Sequence, residues 1–245
     1  MAKQEQFIER MMKKLFENWR KFLNEGMDSR IKSQLDKIFA IDENGLKVGV
    51  VITDDKTFGV AIRYCFIKPD GSWFEVELDD AEKRVDRKVV KTGIPFGEVQ
   101  IRKMDFQGKC LDGWEVYSSE ATRGFGPLLY EVALEYASQK GGGLMADRNS
   151  VSDYAKNVWS EYEKRTPGVK NNQLDVDLDK TKMADFLKGR IDNLTATPDD
   201  DCNQSKAIRD LGTDWDKSPL SKIYTKKSSD TMKALGDRLI YDGNV

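Results

Sequence analysis

The chain has 245 residues, 39% of them hydrophobic and five of them Trp, enough to bury a full core in one large domain or in a domain with an added segment. Charged residues make up 33% yet leave a formal net charge of −2, so no global field recruits nucleic acid or an acidic membrane. Histidine is absent, which excludes a Ser-His-Asp triad, a Cys-His pair and histidine-ligated zinc, and leaves catalysis to carboxylates, phenols, hydroxyls, lysines or the backbone.

The first element is an amphipathic helix. Phe7, Met11, Leu15, Trp19, Phe22 and Leu23 form its apolar stripe, Glu9, Lys13, Lys14, Glu17 and Lys21 fall largely on other faces, and Gly26 ends it. It either packs on the domain's own core or docks on a partner protein through Leu15, Trp19 and Phe22. Acidic residues among its lysines argue against a membrane surface. Its charges leave no signal-peptide core and no apolar run spans a bilayer, so a cytoplasmic chain is expected. A second helical pattern, Met27, Ile31, Leu35 and Ile38, runs to Phe39 and completes a helical segment over 1–40.

From Gly45 the pattern changes to strands. Leu46 to Ile52, Gly59 to Ile67, Ser72 to Leu78 and Gly97 to Met104 carry β-branched or aromatic residues, and Pro69-Asp70-Gly71 makes the middle pair a hairpin. The basic run Lys83, Arg84, Arg87, Lys88 and Lys91 reads as a solvated loop or helix, with a phosphate contact as the alternative. Gly113 to Ser118 is a further strand. Arg123-Gly124-Phe125-Gly126 then turns into a helix from Pro127 to Lys140, whose Leu128, Leu129, Val132, Ala133, Tyr136 and Ala137 mark one buried face. After Gly141-Gly142-Gly143 comes a short strand, Leu144 to Arg148. Ser150 or Ser152 caps the next helix, which carries Ala155, Val158, Trp159 and Tyr162.

Beyond Arg165 the chain turns polar. Asp175 to Gly189 holds a short helix, and Thr195 to Gln204 reads as a loop. Trp215, Leu220, Ile223, Tyr224, Leu235, Leu239 and Ile240 pack the tail on the domain, giving a domain over 41–170 and an extension over 171–245. Asp175-Val176-Asp177-Leu178-Asp179 resembles the start of a calcium loop, but Lys180 replaces the required glycine and Phe186 the bidentate Glu, so no metal is expected. Cys65, Cys110 and Cys202 are odd in number and widely spaced, and read as buried thiols in a reducing compartment.

The glycines of the Arg123 turn sit at a helix N-terminus, where free N–H groups and the positive end of the helix dipole favour an anion such as pyrophosphate. Strand, RGFG turn, helix, glycine turn, strand and helix, from about Gly113 to Arg165, resemble the cofactor-binding half of the GNAT superfamily of N-acetyltransferases. The sequences RGFGPLLYEVALEYA, GGGLMADR and SPLSKIY look more closely like a group of tailed-phage proteins described as acetyltransferases. The resemblance implies an α/β (α+β) fold, a mixed, mainly antiparallel sheet flanked by helices, and acetyl-CoA as cofactor. It implies that Arg123, Gly124, Phe125 and Gly126 hold pyrophosphate, and that Tyr117 and Ser118 present strand backbone to the pantetheine. Pro127 and Leu128 depart from the family turn, one lacking an N–H and the other standing where a glycine belongs. On the later helix Ser152 and Trp159 occupy the family's Asn and Tyr positions, so Tyr162, one turn on, is the substitute acid. Glu115 and Glu120 are the candidate bases, Glu120 being preferred. Two functions stay open: an N-acyltransferase, or a non-catalytic phage protein, host-directed or in the virion, acting through its N-terminal helix.

Overall fold

The computed structural model describes residues 27–43, 45–55, 59–77, 82–85, 88–91, 93–103, 108–165, 168–175 and 194–243. The expected first helix, with Leu15, Trp19 and Phe22, lies outside them, as does the expected helix from Asp175 to Gly189 save for Asp175 itself, which forms an isolated bridge with Asp201. The elements are α1 (Ser29–Ala40), β1 (Asp42–Glu43), β2 (Leu46–Asp55), β3 (Gly59–Ile67), β4 (Trp73–Glu75), β5 (Glu82–Val85), β6 (Lys88–Lys91), β7 (Gly97–Arg102), β8 (Trp114–Ala121), α2 (Gly126–Lys140), β9 (Leu144–Met145), α3 (Asp153–Lys164), β10 (Lys170–Gln173), β11 (Lys222–Thr225), α4 (Asp230–Leu235) and β12 (Leu239–Asp242).

Ten strands form one mixed, mostly antiparallel sheet in the order β1-β2-β3-β7-β8-β9-β11-β10, with β12 against β2 and β4 against β3. Among the described strands only β8/β9 and β12/β2 pair in parallel. A parallel pair needs a crossover, and α2 supplies it between β8 and β9. Alternation sets the faces: Val48, Val50 and Ile52 of β2 and Ile62, Tyr64 and Phe66 of β3 turn into the main core, whereas Val51, Cys65 and Ile67 form a smaller cluster with Ile240 on the opposite face. On α1, Asp28 caps the first turn by accepting from Arg30 N at 2.8 Å, and the expected stripe Ile31, Leu35 and Ile38 is buried. Each such aliphatic side chain contributes about 1.5–3 kcal/mol by leaving water.

α2 departs from the one-faced helix that its periodicity suggests. Every residue from Leu128 to Ala137 is buried, Glu131 and Glu135 included, because the sheet, α1 and the tail close around it and Trp159 of α3 packs on Tyr130. The basic run is a two-stranded hairpin of β5 and β6 rather than a loop or helix, consistent with Val85, Val89 and Val90 among its charges. The tail is part of the sheet: β11 inserts between β9 and β10, and β12 extends beside β2. Trp215, Leu220, Ile223, Tyr224 and Leu235 are buried, as expected of a packed tail.

Two of the cysteines correct the sequence reading. Cys110 and Cys202 are joined by a disulfide across 92 positions, leaving Cys65 as the buried thiol. Disulfides persist in oxidising surroundings, so the odd cysteine count no longer argues for a reducing compartment. Next to the bond, Cys110, Leu111 and Asp112 have φ of 48°, 51° and 59°, a left-handed run costing about 1–2 kcal/mol per residue. Backbone bonds from Cys110 N to Asp201 O (3.0 Å) and from Leu111 N to Asp199 O (2.7 Å) hold it. A Cβ on Gly142 would stand 1.6 Å from Leu111 O, so only glycine lets the end of α2 pack there. Among the described residues, no helix is long and apolar enough to cross a membrane, and no group of three or more Cys, Asp or Glu side chains is placed to hold a metal ion.

Candidate functional site

β8 and β9 pair at only two positions, Trp114 with Leu144 and Glu115 with Met145, and then part. Among the described residues, β8 makes no further pair with β9 past Glu115. The Glu115 carboxylate supplies the next rung by accepting from Arg148 N at 2.6 Å. Arg148 is itself buried, with Nε donating to Ala146 O (2.8 Å) and Nη2 to Leu220 O (3.0 Å). Burial lowers the Arg148 pKa to about 10. Burial likewise lifts Glu115 above the usual carboxylate range, against the pull of the Arg148 N–H and the nearby cations. Glu115, one of the two candidate bases, is thus committed to closing the inner end of the strand cleft.

The turn after β8 is pinned on its core side and open on the other. Tyr64 Oη donates to Phe125 O at 2.8 Å, and the Phe125 ring packs edge-on against Tyr64, with the Lys37 ammonium 5.8 Å from its centre. Gly124 has φ +94° with nothing within 4 Å of the place a side chain would take, so the backbone is bare there. Phe125 N donates to Thr122 O, and Leu128 N donates at 2.8 Å to Oε1 of the buried Gln34 on α1. Among the described residues the Gly124 and Gly126 amides have no acceptor. Leu128 stands where the resemblance asks for glycine, yet its side chain is fully buried in the core and does not cover the turn.

A cavity of about 650 Å³ opens beside these amides, walled by the ends of β7 and β8, the turn, the first turns of α1 and α2, and α3. An alternating chain of charges runs from its wall into the core: Glu161 to Arg30 (3.0 Å), Arg30 to Asp28 (3.3 Å), Asp28 to Arg165 (3.8 Å), Arg165 to Glu131 (2.6 Å), Glu131 to Lys226 (2.8 Å) and Lys226 to Glu135 (2.5 Å). Glu135 ends the chain by accepting from Thr231 N (2.9 Å) and Met232 N (2.8 Å) at the start of α4. Burial works to raise Glu131, but the Arg165 hydrogen bonds and the charges of Lys226 and Arg165 outweigh it and hold the carboxyl below its ordinary range. At Glu135 burial outweighs the single cation Lys226 and the two α4 amides, and its pKa rises.

On α3, Ser152 is the cap, accepting from Ala155 N at 3.3 Å. Trp159 is packed among Tyr130, Tyr162 and Tyr224 with ring centres 5.6–6.0 Å away. Tyr162 is buried on the cavity wall under the Arg165 guanidinium, and its hydroxyl has no hydrogen-bond partner among the described residues. Burial pushes its pKa well above that of a free phenol, so it keeps its proton.

Glu120, Arg123, Gly124, Gly126 and Tyr162 therefore share one cavity, whereas Tyr117, Ser118 and Phe125 do not line it. Tyr117 lies under the Arg102 guanidinium at 4.4 Å, Ser118 is exposed, and both lie past the two rungs that β8 shares with β9. Glu98, opposite Glu120 on the next strand, is bonded to Arg63; Glu120 has no cation among the described residues. Sequence reading missed Ser119, Tyr130, Glu131 and Arg165. The paired carboxylates Glu131 and Glu135, four residues apart in an otherwise apolar helix, were the available signal for the charge chain. No protein-family model matches this sequence, and comparison with curated proteins and with solved structures finds no match either.

Proposed function

We propose that the chain is an acetyl-CoA-dependent N-acyltransferase of GNAT type, with the cavity beside the RGFG turn as its site. The observation that carries this reading is the pair of free amides, Gly124 and Gly126, at the start of a 15-residue helix and on the wall of a cavity of about 650 Å³. Free N–H groups, the helix dipole and the exposed Arg123 suit a diphosphate. Where β8 runs past its two rungs with β9, its backbone at Tyr117 and Ser118 lies along the path the resemblance gives the pantetheine. The cofactor supplies an acetyl group activated as a thioester. Tyr162 holds a proton on the cavity wall for the departing sulfur, and Glu120 accepts one from the acceptor amine.

The test is thermal. Acetyl-CoA at about 100 times its dissociation constant should stabilise the fold by roughly 2.7 kcal/mol if it binds only the native state. No rise in melting temperature at millimolar acetyl-CoA would sink the reading. Tyr162→Phe should leave that stabilisation intact and slow acetyl transfer to amines about 10²-fold. Equal turnover would leave Tyr162 as a core residue.

One observation favours a second reading, a GNAT-type fold without catalysis that acts by protein contact. Pro127 has no N–H and the Leu128 amide is spent on Gln34, so the helix start has fewer donors for an anion than the family turn implies. The absence of any thermal shift would select this reading.

A further inference from the structure

Four carboxylate side chains are completely buried among the described residues: Glu115, Glu131, Glu135 and Asp175. Each glutamate has a cation within 3.5 Å, Arg102 at Glu115, Arg165 and Lys226 at Glu131, and Lys226 at Glu135. Asp175 has none among the described residues. Buried charges are held by ion pairs or by metal ions, and Asp175 lacks the first. Its Oδ2 accepts from Thr195 N at 2.7 Å, whereas its Oδ1 is shut from solvent and has no partner among the described residues. The Thr195 hydroxyl oxygen stands 3.0 Å from Asp175 Oδ2 and 2.9 Å from Oδ2 of Asp200, whose Oδ1 is likewise buried and without a partner among the described residues. One hydroxyl has one proton to give. It satisfies one carboxylate, and the contact with the other sets lone pairs against lone pairs.

The backbone fixes this arrangement. Asp175 N donates to Asp200 O (2.9 Å) and Cys202 N to Asp175 O (2.6 Å), so the segment after Thr195 lies along the end of β10, and the bond from Cys202 to Cys110 anchors it farther on. None of the three residues lines the cavity beside the RGFG turn, so nothing here depends on the acetyl-CoA reading.

We propose that Asp175, Asp200 and Thr195 form a calcium site that fastens segment 195–202 to the edge of the sheet. The donors are all oxygen, which suits a hard divalent cation and not a metal that prefers thiolate or imidazole. Calcium accepts carboxylates together with carbonyls and waters in an irregular shell, whereas magnesium demands near-ideal octahedral geometry and keeps more of its own waters. A site that combines two carboxylates with neutral oxygens contains no group of three acids, in keeping with the absence of such a group among the described residues. Its spacing is also unlike the calcium loop that Lys180 and Phe186 break, because Thr195 follows Asp175 by 20 positions.

The test is melting of the full chain, stripped with EDTA and dialysed, in calcium or magnesium chloride at constant ionic strength. With a dissociation constant of about 10⁻⁴–10⁻³ M, the range of weak calcium modules, about 10 mM calcium should raise the melting temperature by roughly 3–10 °C, and magnesium by much less. Asp175→Asn should melt at or above the unaltered chain in EDTA, because it removes an uncompensated buried charge, and below it in calcium. A carboxylate with a merely structural role would give a lower value in both conditions. Asp200→Asn changes a residue that is not fully buried and should weaken calcium at least tenfold, so it decides the matter if the Asp175 variant does not fold. An unaltered chain that melts alike with and without calcium would overturn the proposal and assign both oxygens to bound water. An equal shift from magnesium, or one that persists in either variant, would overturn it as an effect of surface charge.

Discussion

Glu131→Gln should lower the stability of the folded chain by about 3–5 kcal/mol, the usual result of removing one charge from a buried ion pair. Glu131 is fully buried, accepts two hydrogen bonds from Arg165 (2.6 and 2.9 Å) and one from Lys226 (2.8 Å). The amide keeps the shape but leaves two cations facing a neutral group. At about 2–4 °C per kcal/mol for a chain of this size, the melting temperature should fall by roughly 10 °C. The pH dependence identifies the cause. The folded state holds the Glu131 carboxyl below its unfolded value, so its contribution is complete above the unfolded pKa of about 4.3 and disappears as pH falls through the folded one. The gap between the two proteins should therefore be full at neutral pH and narrow steadily below pH ~4. A gap of constant size down to low pH would assign the loss to packing and not to charge.

Glu131 also shows where sequence patterns stop being informative. Periodicity places β2, β3, β7, β8, α2 and α3, because each has a regular apolar repeat and a turn signal at its ends. The same periodicity puts Glu131 and Glu135 on a solvent face, since a carboxylate is costly to bury unless cations from distant parts of the chain meet it. Those cations, Arg165 and Lys226, lie 34 and 95 positions from Glu131. Lys226 follows β11, a strand too short to stand out in a polar tail. The RGFG turn was legible as an anion-suited helix start, but the loss of the Leu128 amide to Gln34 spans 94 positions and belongs to packing alone. Ser119 and Tyr130 were passed over for a related reason. Each is an ordinary residue of its own element, and only the strand-to-helix turn brings the two hydroxyls together.

The disulfide, a covalent contact of similar range, carries the other large expected effect. Cys202→Ser should cost about 4–5 kcal/mol, because the bond joins positions 92 apart and, in the chain-entropy account, restricts the unfolded chain over that whole loop. The loop contains β8, α2, β9, α3 and β10, so the lost constraint acts on most of the cavity wall. Both cysteines are buried, Cys110 at 3% and Cys202 at 0% exposure, so a reducing agent reaches the bond only through local opening. The serine variant is for that reason the cleaner probe, and melting of the unaltered chain with and without a dithiol is the control. Intact mass before and after alkylation under denaturing conditions reports whether one thiol or three are free. A melting temperature roughly 10–15 °C lower follows at about 2–4 °C per kcal/mol. If the variant melts with the unaltered chain, the bonds from Cys110 N to Asp201 O and from Leu111 N to Asp199 O already fix the left-handed turn, and the disulfide adds little to them.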